Sequence, residues 1–388
     1  MPVCGSSRMD LTCQETTHVF IMSVNSYSLN PKEVTMSVVQ SLLRSPVVTA
    51  LASPHGIDRY LEIVNPLWAA HEVRARVVDV TRETRAGAPV TTLRLRPSNT
   101  WRGHRAGQHV QLGIELGTAR RLTRAFSISS PESGPGDDIT ITVRAREEGA
   151  VSAHLAELAR PGALVHLGQA EGEFTLPEPL PSRLILISAG SGITPVMSMV
   201  RTLMRRGYGG TITFLHYARS AQHQIFADEI ATLPPNVHVH LVHTRAGGER
   251  FTRDALARLV PDFADVDTFA CGPAGLIETV QEAYAGSDRL RVEYFRVPSA
   301  ASGDAEGTIT FSRSGTRVAN SGATILEQAE AAGLTPEFGC RMGICFTCTA
   351  RKPEGAVRNV VNGEENAMPD DDIRICVNAP VGDCTVDL

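Results

Sequence analysis

The chain lacks any long apolar run and any recognisable export signal. No stretch approaches the ~20 consecutive apolar residues that a membrane-spanning helix needs, and runs such as Leu184–Ala189 have the length of a strand. The N-terminus shows neither a basic segment nor a small-residue cleavage site. We therefore expect a cytoplasmic protein without a membrane span of its own, which would reach a membrane only through a partner.

The chain also lacks a strong charge of either sign. Its 37 Lys and Arg against 42 Asp and Glu leave a formal net charge of −5. Because no broad positive field would attract nucleic acid, we predict no nucleic-acid partner. The hydrophobic fraction of 42% and the charged fraction of 20% are typical of a soluble globular chain. The 388 residues exceed the ~250 to 300 at which a single core stops growing, so two or three domains are expected.

Changes of pattern along the chain predict a multi-domain protein. Short alternating strands indicate an antiparallel β-barrel, and strands alternating with helices indicate a parallel α/β sheet. Met36, directly before a helical pattern, is a second candidate for the start of translation. The predicted boundaries are 1–69 for a leader and helical extension, 70–181 for the barrel, 182–297 for the α/β domain, 298–306 for a linker and 307–388 for a small α+β domain.

Four of the eight cysteines are clustered near the C-terminus. Their pattern is C-x4-C-x2-C, followed after 27 residues by one more Cys, and this is the ligand spacing of a plant-type [2Fe–2S] cluster. Arg341 and Gly343 would let backbone N–H groups turn toward the sulfurs. A structural zinc site and inert thiols are the alternatives, and we interpret Cys384 as a core residue. The predicted cluster ligands are Cys340, Cys345, Cys348 and Cys376.

A glycine-containing loop joins a predicted strand to a helix predicted from Pro195 to Arg206, and its sequence is Ser188-Ala-Gly190-Ser-Gly192-Ile-Thr194-Pro195. Its two glycines would let the backbone approach a pyrophosphate, whose charge the helix N-terminus stabilises. Pro195 stands where the dinucleotide fingerprint has a third glycine, so an ordinary strand-to-helix turn is an alternative. Cys271-Gly272-Pro273 adds a second glycine turn at the same expected sheet edge.

Two short motifs lie in the predicted barrel. Arg124-Ala-Phe126-Ser127 combines an arginine fork for phosphate, an aromatic face for a flat ring and a hydroxyl for a ring nitrogen. Gly149-Ala-Val-Ser152, at the start of a predicted helix, offers backbone N–H groups and a hydroxyl to the same pyrophosphate. An amphipathic strand and an ordinary helix N-cap are the respective alternatives.

These motifs, in this order, resemble the ferredoxin–NADP⁺ reductase superfamily, in the class with a C-terminal plant-type ferredoxin domain. The resemblance covers residues 70–388 and implies an NAD(P)H:acceptor oxidoreductase with FAD, a [2Fe–2S] cluster and a β-grasp ferredoxin domain. Phe126 stands where the family more often has Tyr. The FAD-binding residues that the resemblance implies are Arg124, Phe126, Ser127, Val143, Arg144, Gly149, Val151 and Ser152.

The resemblance also implies a nicotinamide-nucleotide site and three catalytic residues. Arg219 and Ser220, with no acidic residue beside them, favour a 2′-phosphate, so NADPH is expected rather than NADH. The implied catalytic residues are Ser127 near the flavin, Cys271 beside the nicotinamide, and Phe295 of the Glu293-Tyr-Phe295 motif. The implied nucleotide-binding residues are Gly190, Gly192, Thr194, Pro195, Arg219, Ser220, Gly272 and Pro273.

The segment Ser53–Trp68 further resembles actinobacterial, including mycobacterial, reductases that serve stearoyl-CoA desaturases. We therefore expect electrons to pass from NAD(P)H through FAD and the cluster to a separate oxygenase, with a membrane fatty-acyl desaturase as the first candidate. A steroid or aromatic hydroxylase is the alternative client. A non-enzymatic iron–sulfur sensor and a zinc-stabilised binding module are alternatives of another class.

Two further features were interpreted conservatively. His238, His240 and His243 are interpreted as residues of a strand rather than as a metal site. Residues 307–388 contain 7 basic and 11 acidic residues, which gives 7 − 11 = −4. This charge is compatible with an acidic docking face for a basic partner.

Overall fold

The structure is a computed structural model, and its described residues all belong to the compact unit Ala52–Leu388. The predicted leader and helical extension, the start at Met36 and most of the predicted linker lie outside the described residues. The described residues are 72–84, 86–116, 120–145, 150–158, 160–295, 305–339, 341, 343 and 346–388.

The first sheet is a nearly closed antiparallel barrel, as predicted. Its strand order is β4-β3-β6-β1-β2-β5, and a bridge between Ile128 and Ile141 links the ends of the two edge strands. The strands are β1 Val73–Arg82, β2 Val90–Pro97, β3 His109–Leu116, β4 Arg120–Ser127, β5 Ile139–Arg144 and β6 Leu164–Leu167.

Alternation along the strands builds the barrel core. In β2, Leu93 and Leu95 are fully buried, whereas Arg94 and Arg96 between and beyond them are exposed. Each such apolar side chain contributes roughly 1.5 to 3 kcal/mol on burial. Because side chains of a strand point alternately to opposite faces, this period of two forces the sheet to bury one face and to solvate the other.

A helical segment follows the last long strand of the barrel. Helix α1, Ala150–Ala153, continues into a π-helical turn, His154–Leu158. Val151 and Leu155 from this segment pack into the barrel core. The predicted helix start near Ser152 is therefore present.

The second sheet is parallel, as the alternating pattern predicts. Its order is β11-β10-β7-β8-β9. From the central strand β7 the chain first adds β8 and β9 on one side and then β10 and β11 on the other, so the strand order reverses at β7. Sheets of this kind bind ligands in the crevice outside the carboxyl ends of the strands, where the order reverses. The strands are β7 Arg183–Ala189, β8 Thr211–Ala218, β9 Val237–His243, β10 Thr268–Gly272 and β11 Leu290–Tyr294.

Helices cover both faces of this sheet. Leu186 of β7 packs with the apolar residues of α2, and its neighbour Ile187 packs with those of α4 and α5 on the other face. Within the described part of the chain no helix is long and apolar enough to cross a membrane. The helices are α2 Ile193–Arg205, α3 Ala227–Ile230, α4 Arg253–Leu259 and α5 Ala274–Ala283.

Helix α2 corrects one predicted boundary, because it begins at Ile193 and not at Pro195. A 3₁₀ turn, Gly190–Gly192, leads directly into the α-helix, so Pro195 occupies the third helical position. A proline is tolerated there, since the first N–H groups of a helix have no intrahelical partner.

The barrel and the parallel sheet share a packed interface. Phe174 from the barrel side lies in the same core cluster as Met199 of α2. The Ser198 hydroxyl donates to the Ser130 carbonyl oxygen at 2.6 Å, and the Arg206 guanidinium binds the carboxylate of Glu132. Apolar packing and buried polar contacts together fix one arrangement of these two parts.

The C-terminal part forms a mixed five-stranded sheet of order β13-β12-β18-β15-β16, packed with one helix and a separate β14-β17 pair. Strand β12 is parallel to β18 and antiparallel to β13, the arrangement of a β-grasp fold. The elements are β12 Thr308–Phe311, β13 Thr316–Ala319, α6 Ile325–Ala331, β14 Thr349–Lys352, β15 Glu354–Asn359, β16 Glu365–Asn366, β17 Asp371–Arg374 and β18 Asn378–Val386.

This C-terminal part contains a fully buried lysine. Lys352 has no exposed surface, and its Nζ donates to the carbonyl oxygens of Gly355 at 2.8 Å and Met368 at 2.5 Å. Buried ammonium groups are tolerated only when such partners are present. The chain has one other lysine, Lys32, which lies outside the described residues.

Candidate functional site

The two predicted glycine turns meet at the carboxyl ends of β7 and β10. Gly190 adopts a left-handed φ of 55°. A Cβ added to Gly192 would lie 2.2 Å from the carbonyl oxygen of Cys271, so only glycine allows the two turns to pack this closely. The two motifs therefore form one edge of the crevice, where the strand order reverses.

Thr194 and Pro195 lie in the first turn of α2, and both are buried. The Thr194 hydroxyl donates to the Ser191 carbonyl oxygen at 3.0 Å, which ties the loop to the helix. The N-terminus of this helix of 13 residues lies at the crevice, and the positive end of a helix dipole stabilises a phosphate.

A buried histidine stands directly beneath this edge. His216 of β8 is 1% exposed, and its Nδ1 lies 2.8 Å from the Ser188 hydroxyl oxygen. Burial, together with smaller effects of the charges on His243 and Arg144, lowers the pKa of His216 to about 3. Its Nε2 has no hydrogen-bond partner among the described residues. A polar group supplied by a bound ligand would satisfy it, so the crevice fits a nucleotide.

Arg219 and Ser220 follow the end of β8, where the ribose was expected. Arg219 is exposed, and the Ser220 hydroxyl oxygen lies 2.8 Å from Nδ1 of His223. The backbone N–H of Arg245 donates to the Arg219 carbonyl oxygen at 2.9 Å, which brings a second arginine to this corner. Arg245 was not among the predicted residues, because only the pairing of β8 with β9 places it there.

The predicted flavin residues of the barrel lie on β4 and β5 and in α1. Phe126 packs against the barrel core, and Val143 and Val151 are buried within it. The side chains of the two valines therefore serve the core, and only their backbone could contact a cofactor. Ser152 is half-buried at the start of α1, and Gly149 lies outside the described residues.

Arg144 connects the barrel to the nucleotide crevice. Its Nη2 would lie 3.9 Å from a Cβ added to Gly190. An arginine predicted for FAD and a glycine predicted for the nicotinamide nucleotide thus face each other across the joint between two sheets. The proximity of Arg144 and Gly190 fits a site where FAD and the nicotinamide nucleotide lie close together.

Glu293, next to the end of β11, joins the three predicted catalytic residues. Its Oε2 lies 3.9 Å from Sγ of Cys271, and the side chain of Ser127 from β4 is near enough to lower the pKa of Glu293. Phe295 packs against the core cluster that contains Cys271. Barrel and parallel sheet therefore both contribute to one buried polar group.

Burial controls the protonation of this group. Glu293 is 9% exposed, and loss of solvation raises the pKa of Glu293 to about 8. Burial and the neighbouring Glu293 carboxyl also raise the pKa of the Cys271 thiol well above its usual range. At neutral pH both groups hold their protons, and a buried charge is avoided.

His109 also belongs to this group, and no pattern in the sequence predicts it. His109 is 1% exposed, and its Nδ1 lies 3.9 Å from Oε1 of Glu293. A Cβ added to Gly172 would lie 2.9 Å from that same Nδ1, so the histidine is tightly enclosed. A single polar residue at the start of a strand carries no signal in sequence, because its partner is 184 residues further along the chain.

The predicted cluster residues are partly described. Cys348 and Cys376 are 3% and 4% exposed and lie in the same core, together with Cys384, whose pKa burial raises to about 11. Cys340 and Cys345 lie outside the described residues. Cys348 of the loop and the distant Cys376 therefore lie in the same core. The cysteine spacing predicts that these two residues come together.

The loop between these cysteines has an unusual backbone. Arg341, Gly343 and Phe346 have φ values of 56°, 75° and 56°, and left-handed residues of this kind occur in backbone nests that bind anions and iron–sulfur clusters. Arg374 donates to the Gly343 carbonyl oxygen, which holds the loop against the segment that contains Cys376. Thiolates surrounded by such a loop fit a [2Fe–2S] cluster.

The three predicted histidines of β9 do not share a face. Residues of a strand alternate, so His238 and His240 point to one side and His243 to the other. Nε2 of His243 lies 2.9 Å from the side-chain oxygen of Gln224.

Comparison with family models places three domains in this order along the chain. An oxidoreductase FAD-binding domain matches residues 78–176, an oxidoreductase NAD-binding domain matches 186–282, and a 2Fe-2S iron-sulfur cluster binding domain matches 309–380. The three matches fall on the barrel, the parallel sheet and the mixed sheet. The chain is therefore an oxidoreductase with sites for FAD, a nicotinamide nucleotide and an iron–sulfur cluster.

Two similar proteins align with this chain over most of its length and most of theirs. An NADPH oxidoreductase of Mycobacterium tuberculosis is 38% identical over 352 residues, which cover 88% of this chain and 91% of that protein. The ferredoxin reductase component of the 3-ketosteroid-9-alpha-monooxygenase of M. tuberculosis is 29% identical over 310 residues, covering 71% and 83%.

A solved structure has the same fold. Phthalate dioxygenase reductase, described as a modular structure for electron transfer from pyridine nucleotides to [2Fe–2S], superposes with a TM-score of 0.56. It is 20% identical, and the match covers 82% of this chain and 98% of that structure.

Proposed function

The chain belongs to the ferredoxin–NADP⁺ reductase superfamily, in the class with a C-terminal [2Fe–2S] domain, and from this premise we propose that it passes electrons from NADPH to a separate oxygenase. In this proposal FAD lies on the barrel, the nucleotide in the crevice of the parallel sheet, and the cluster on Cys340, Cys345, Cys348 and Cys376. Bound FAD supplies the exchange between a two-electron donor and a one-electron acceptor.

The observation that carries the proposal is the convergence on Glu293. Ser127 reaches it from the flavin strand, and Cys271 reaches it from the nucleotide turn. Such a meeting of two predicted sites at a water-poor point is what transfer between two cofactors requires. Ser127, Cys271 and Phe295 remain the residues we propose for the reaction itself.

The chain's own residues have three roles in this scheme. Arg124 and Arg144 bind phosphates of FAD. Glu293 and Ser127 hold a proton where the two cofactors meet, and the burial of Cys271 and Glu293 excludes water from that point. Gly190 leaves the nucleotide room to approach the backbone, and Gly192 lets the two turns of the crevice pack together.

We propose NADPH as the donor on the basis of charge. The corner after β8 carries Arg219 together with Ser220 and Arg245. A guanidinium pairs with a 2′-phosphate, whereas a bare 2′-hydroxyl would need an acidic residue. The relative named NADPH oxidoreductase supports this choice.

The client is proposed at two levels. The reductase component of a steroid monooxygenase among the relatives supports a separate oxygenase as the electron acceptor. The same relative makes a steroid hydroxylase the second candidate for that acceptor. The fatty-acyl desaturase rests on the resemblance of the segment Ser53–Trp68, which lies outside the described residues. The net charge of −4 over residues 307–388 favours a client with a basic docking face.

The proposal is tested on the purified holoprotein by anaerobic titration with NADPH. We expect flavin and iron–sulfur absorbance that bleach together, and NADPH-dependent reduction of cytochrome c. Electron delivery to a purified desaturase and to a purified steroid hydroxylase then identifies the client. A colourless protein, or a flavin that NADPH and NADH both leave oxidised, would contradict the proposal.

A further inference from the structure

Phe338 of the C-terminal domain contacts two guanidinium groups from different parts of the molecule. Cζ of Arg124, on the barrel strand β4, is 4.2 Å from the centre of its ring. Cζ of Arg341, on the cluster loop, is 3.8 Å from the same centre. Two guanidinium groups from different parts of the molecule therefore contact one aromatic ring, an arrangement that we call the clamp.

Hydrogen bonds fix both sides of this clamp. Nη1 of Arg124 donates to the Phe338 carbonyl oxygen at 3.2 Å and to the Thr123 carbonyl oxygen at 2.8 Å. The Arg341 guanidinium forms a two-bond ion pair with Glu330 of α6. The carboxylate offsets the repulsion between the two cations, and it anchors the clamp to the fold of the C-terminal domain.

The clamp lies directly on the proposed electron path. Phe338 is two residues before Cys340, and Arg124 is three residues before Ser127. One aromatic ring thus connects the strand that we propose for FAD with the loop that we propose for the cluster. Because electron transfer slows steeply with distance, the position of this loop against this strand controls the transfer within the chain.

We propose that Phe338 is a positioning residue that holds the cluster loop against the flavin strand for electron transfer within one chain. The inference rests on the proposed function, since it needs both cofactors. It goes beyond that function because it assigns the coupling of the two domains to one side chain that binds neither cofactor.

The variant Phe338→Leu tests the role of the ring, because it keeps an apolar side chain and removes the aromatic face. Phe338→Tyr is the matched control, since it keeps the face. Glu330→Gln is a second variant, which releases Arg341 and leaves the ring in place. Arg124 is left unchanged, because we also assign it to FAD.

Two activities separate transfer within the chain from the earlier steps. Ferricyanide takes electrons from the flavin, whereas cytochrome c takes them from the cluster. For Phe338→Leu we expect ferricyanide reduction within about twofold of wild type, and cluster reduction in stopped flow slower by about tenfold, as small misplacements of reacting groups cause. Phe338→Tyr should restore the rate, and Glu330→Gln should lie between.

Small-angle scattering gives a readout that does not depend on activity. The radius of gyration of Phe338→Leu should exceed that of wild type, while Phe338→Tyr should match it. The inference is overturned if Phe338→Leu keeps the wild-type rate of cluster reduction and the wild-type radius, or if ferricyanide and cytochrome c reduction fall together. Wild-type protein that reduces neither acceptor would refute the proposed function instead, and scattering would still decide the contact.

Discussion

Glu293 is a carboxyl group that burial keeps protonated near neutral pH. Its pKa in the fold is about 8, whereas in the unfolded chain it has the ordinary value of 4.5. Between these values the unfolded chain releases a proton that the folded protein keeps. Folding stability therefore falls as the pH rises from about 4.5 to about 8.

The variant Glu293→Gln should remove this dependence. We expect its free energy of unfolding to exceed that of wild type by an amount that grows with pH, reaching on the order of a few kcal/mol at pH 8. Urea unfolding from pH 5 to pH 8.5 measures it. The control is Glu173→Gln, at an exposed position, which should keep the wild-type slope. Parallel curves for wild type and Glu293→Gln would show that this residue titrates normally.

Arg219 should decide the choice between the two nicotinamide nucleotides. Loss of one charge-assisted contact with a 2′-phosphate costs about 1.5 to 3 kcal/mol, so kcat/KM for NADPH should fall by about 10- to 100-fold in Arg219→Gln. The value for NADH should stay unchanged. Steady-state kinetics with both nucleotides checks this. Arg289→Gln is the control, because this half-exposed arginine precedes β11 at the opposite end of the sheet. An equal loss for both nucleotides would argue against a 2′-phosphate contact.

Residues could be predicted where spacing or a glycine carries the chemistry. The cysteine pattern predicts a cluster, which agrees with the 2Fe-2S domain matched over residues 309–380, and Gly192 and Gly272 indicate the two turns that the structure brings together. His109 and Phe338 could not be predicted, because each acts through a partner that only the assembled domains supply.

At the scale of elements, the cluster loop depends on a glycine for its close packing. Gly343 has a φ of 75°, and a Cβ there would lie 2.8 Å from a methyl group of Val377. Gly343→Ala should therefore push the loop away from the segment with Cys376, at a cost of about 1 to 3 kcal/mol. We expect iron content to fall while FAD content stays unchanged.

A second glycine provides the matched control for this prediction. Gly363 has the same left-handed φ of 76° but nothing within 4 Å of an added Cβ. Gly363→Ala thus adds the same backbone strain without the clash, and it should keep its iron. Iron and flavin assays on both purified variants decide the matter. Equal iron in the two variants would mean that the contact with Val377 is unimportant.

Elements were predictable where their period was regular. Strands β1, β2 and β5 and the strands β7 to β10 of the parallel sheet follow from alternation or from apolar runs, whereas β11 was not predicted. Helix α2 begins two residues before the predicted start at Pro195, because a 3₁₀ turn leads directly into the helix. Strand ends such as that of β10, which extends through Cys271 to Gly272, are set by pairing with β11 and not by local sequence.

At the scale of the whole molecule, three parts with separate cores are joined by specific contacts. The order of barrel, parallel sheet and mixed sheet was readable from changes of pattern, since each core has its own period. Their mutual arrangement was not, because it depends on side chains such as Ser198 and Arg206 at the joints. Positions of this kind look like ordinary surface residues in a sequence.

The burial of Lys352 has a consequence for chemical labelling of the protein. Only two of the 37 basic side chains are lysines, so amine-directed reagents meet few targets. An N-hydroxysuccinimide ester should leave Lys352 unmodified in the native protein and modify it once urea opens the C-terminal domain. Peptide mass spectrometry measures this, and rapid native acylation of Lys352 would contradict its burial. The amine of Lys352 thus reports local opening of the C-terminal domain. Amine-coupled surfaces and cross-linkers would react with the native protein outside its iron–sulfur domain.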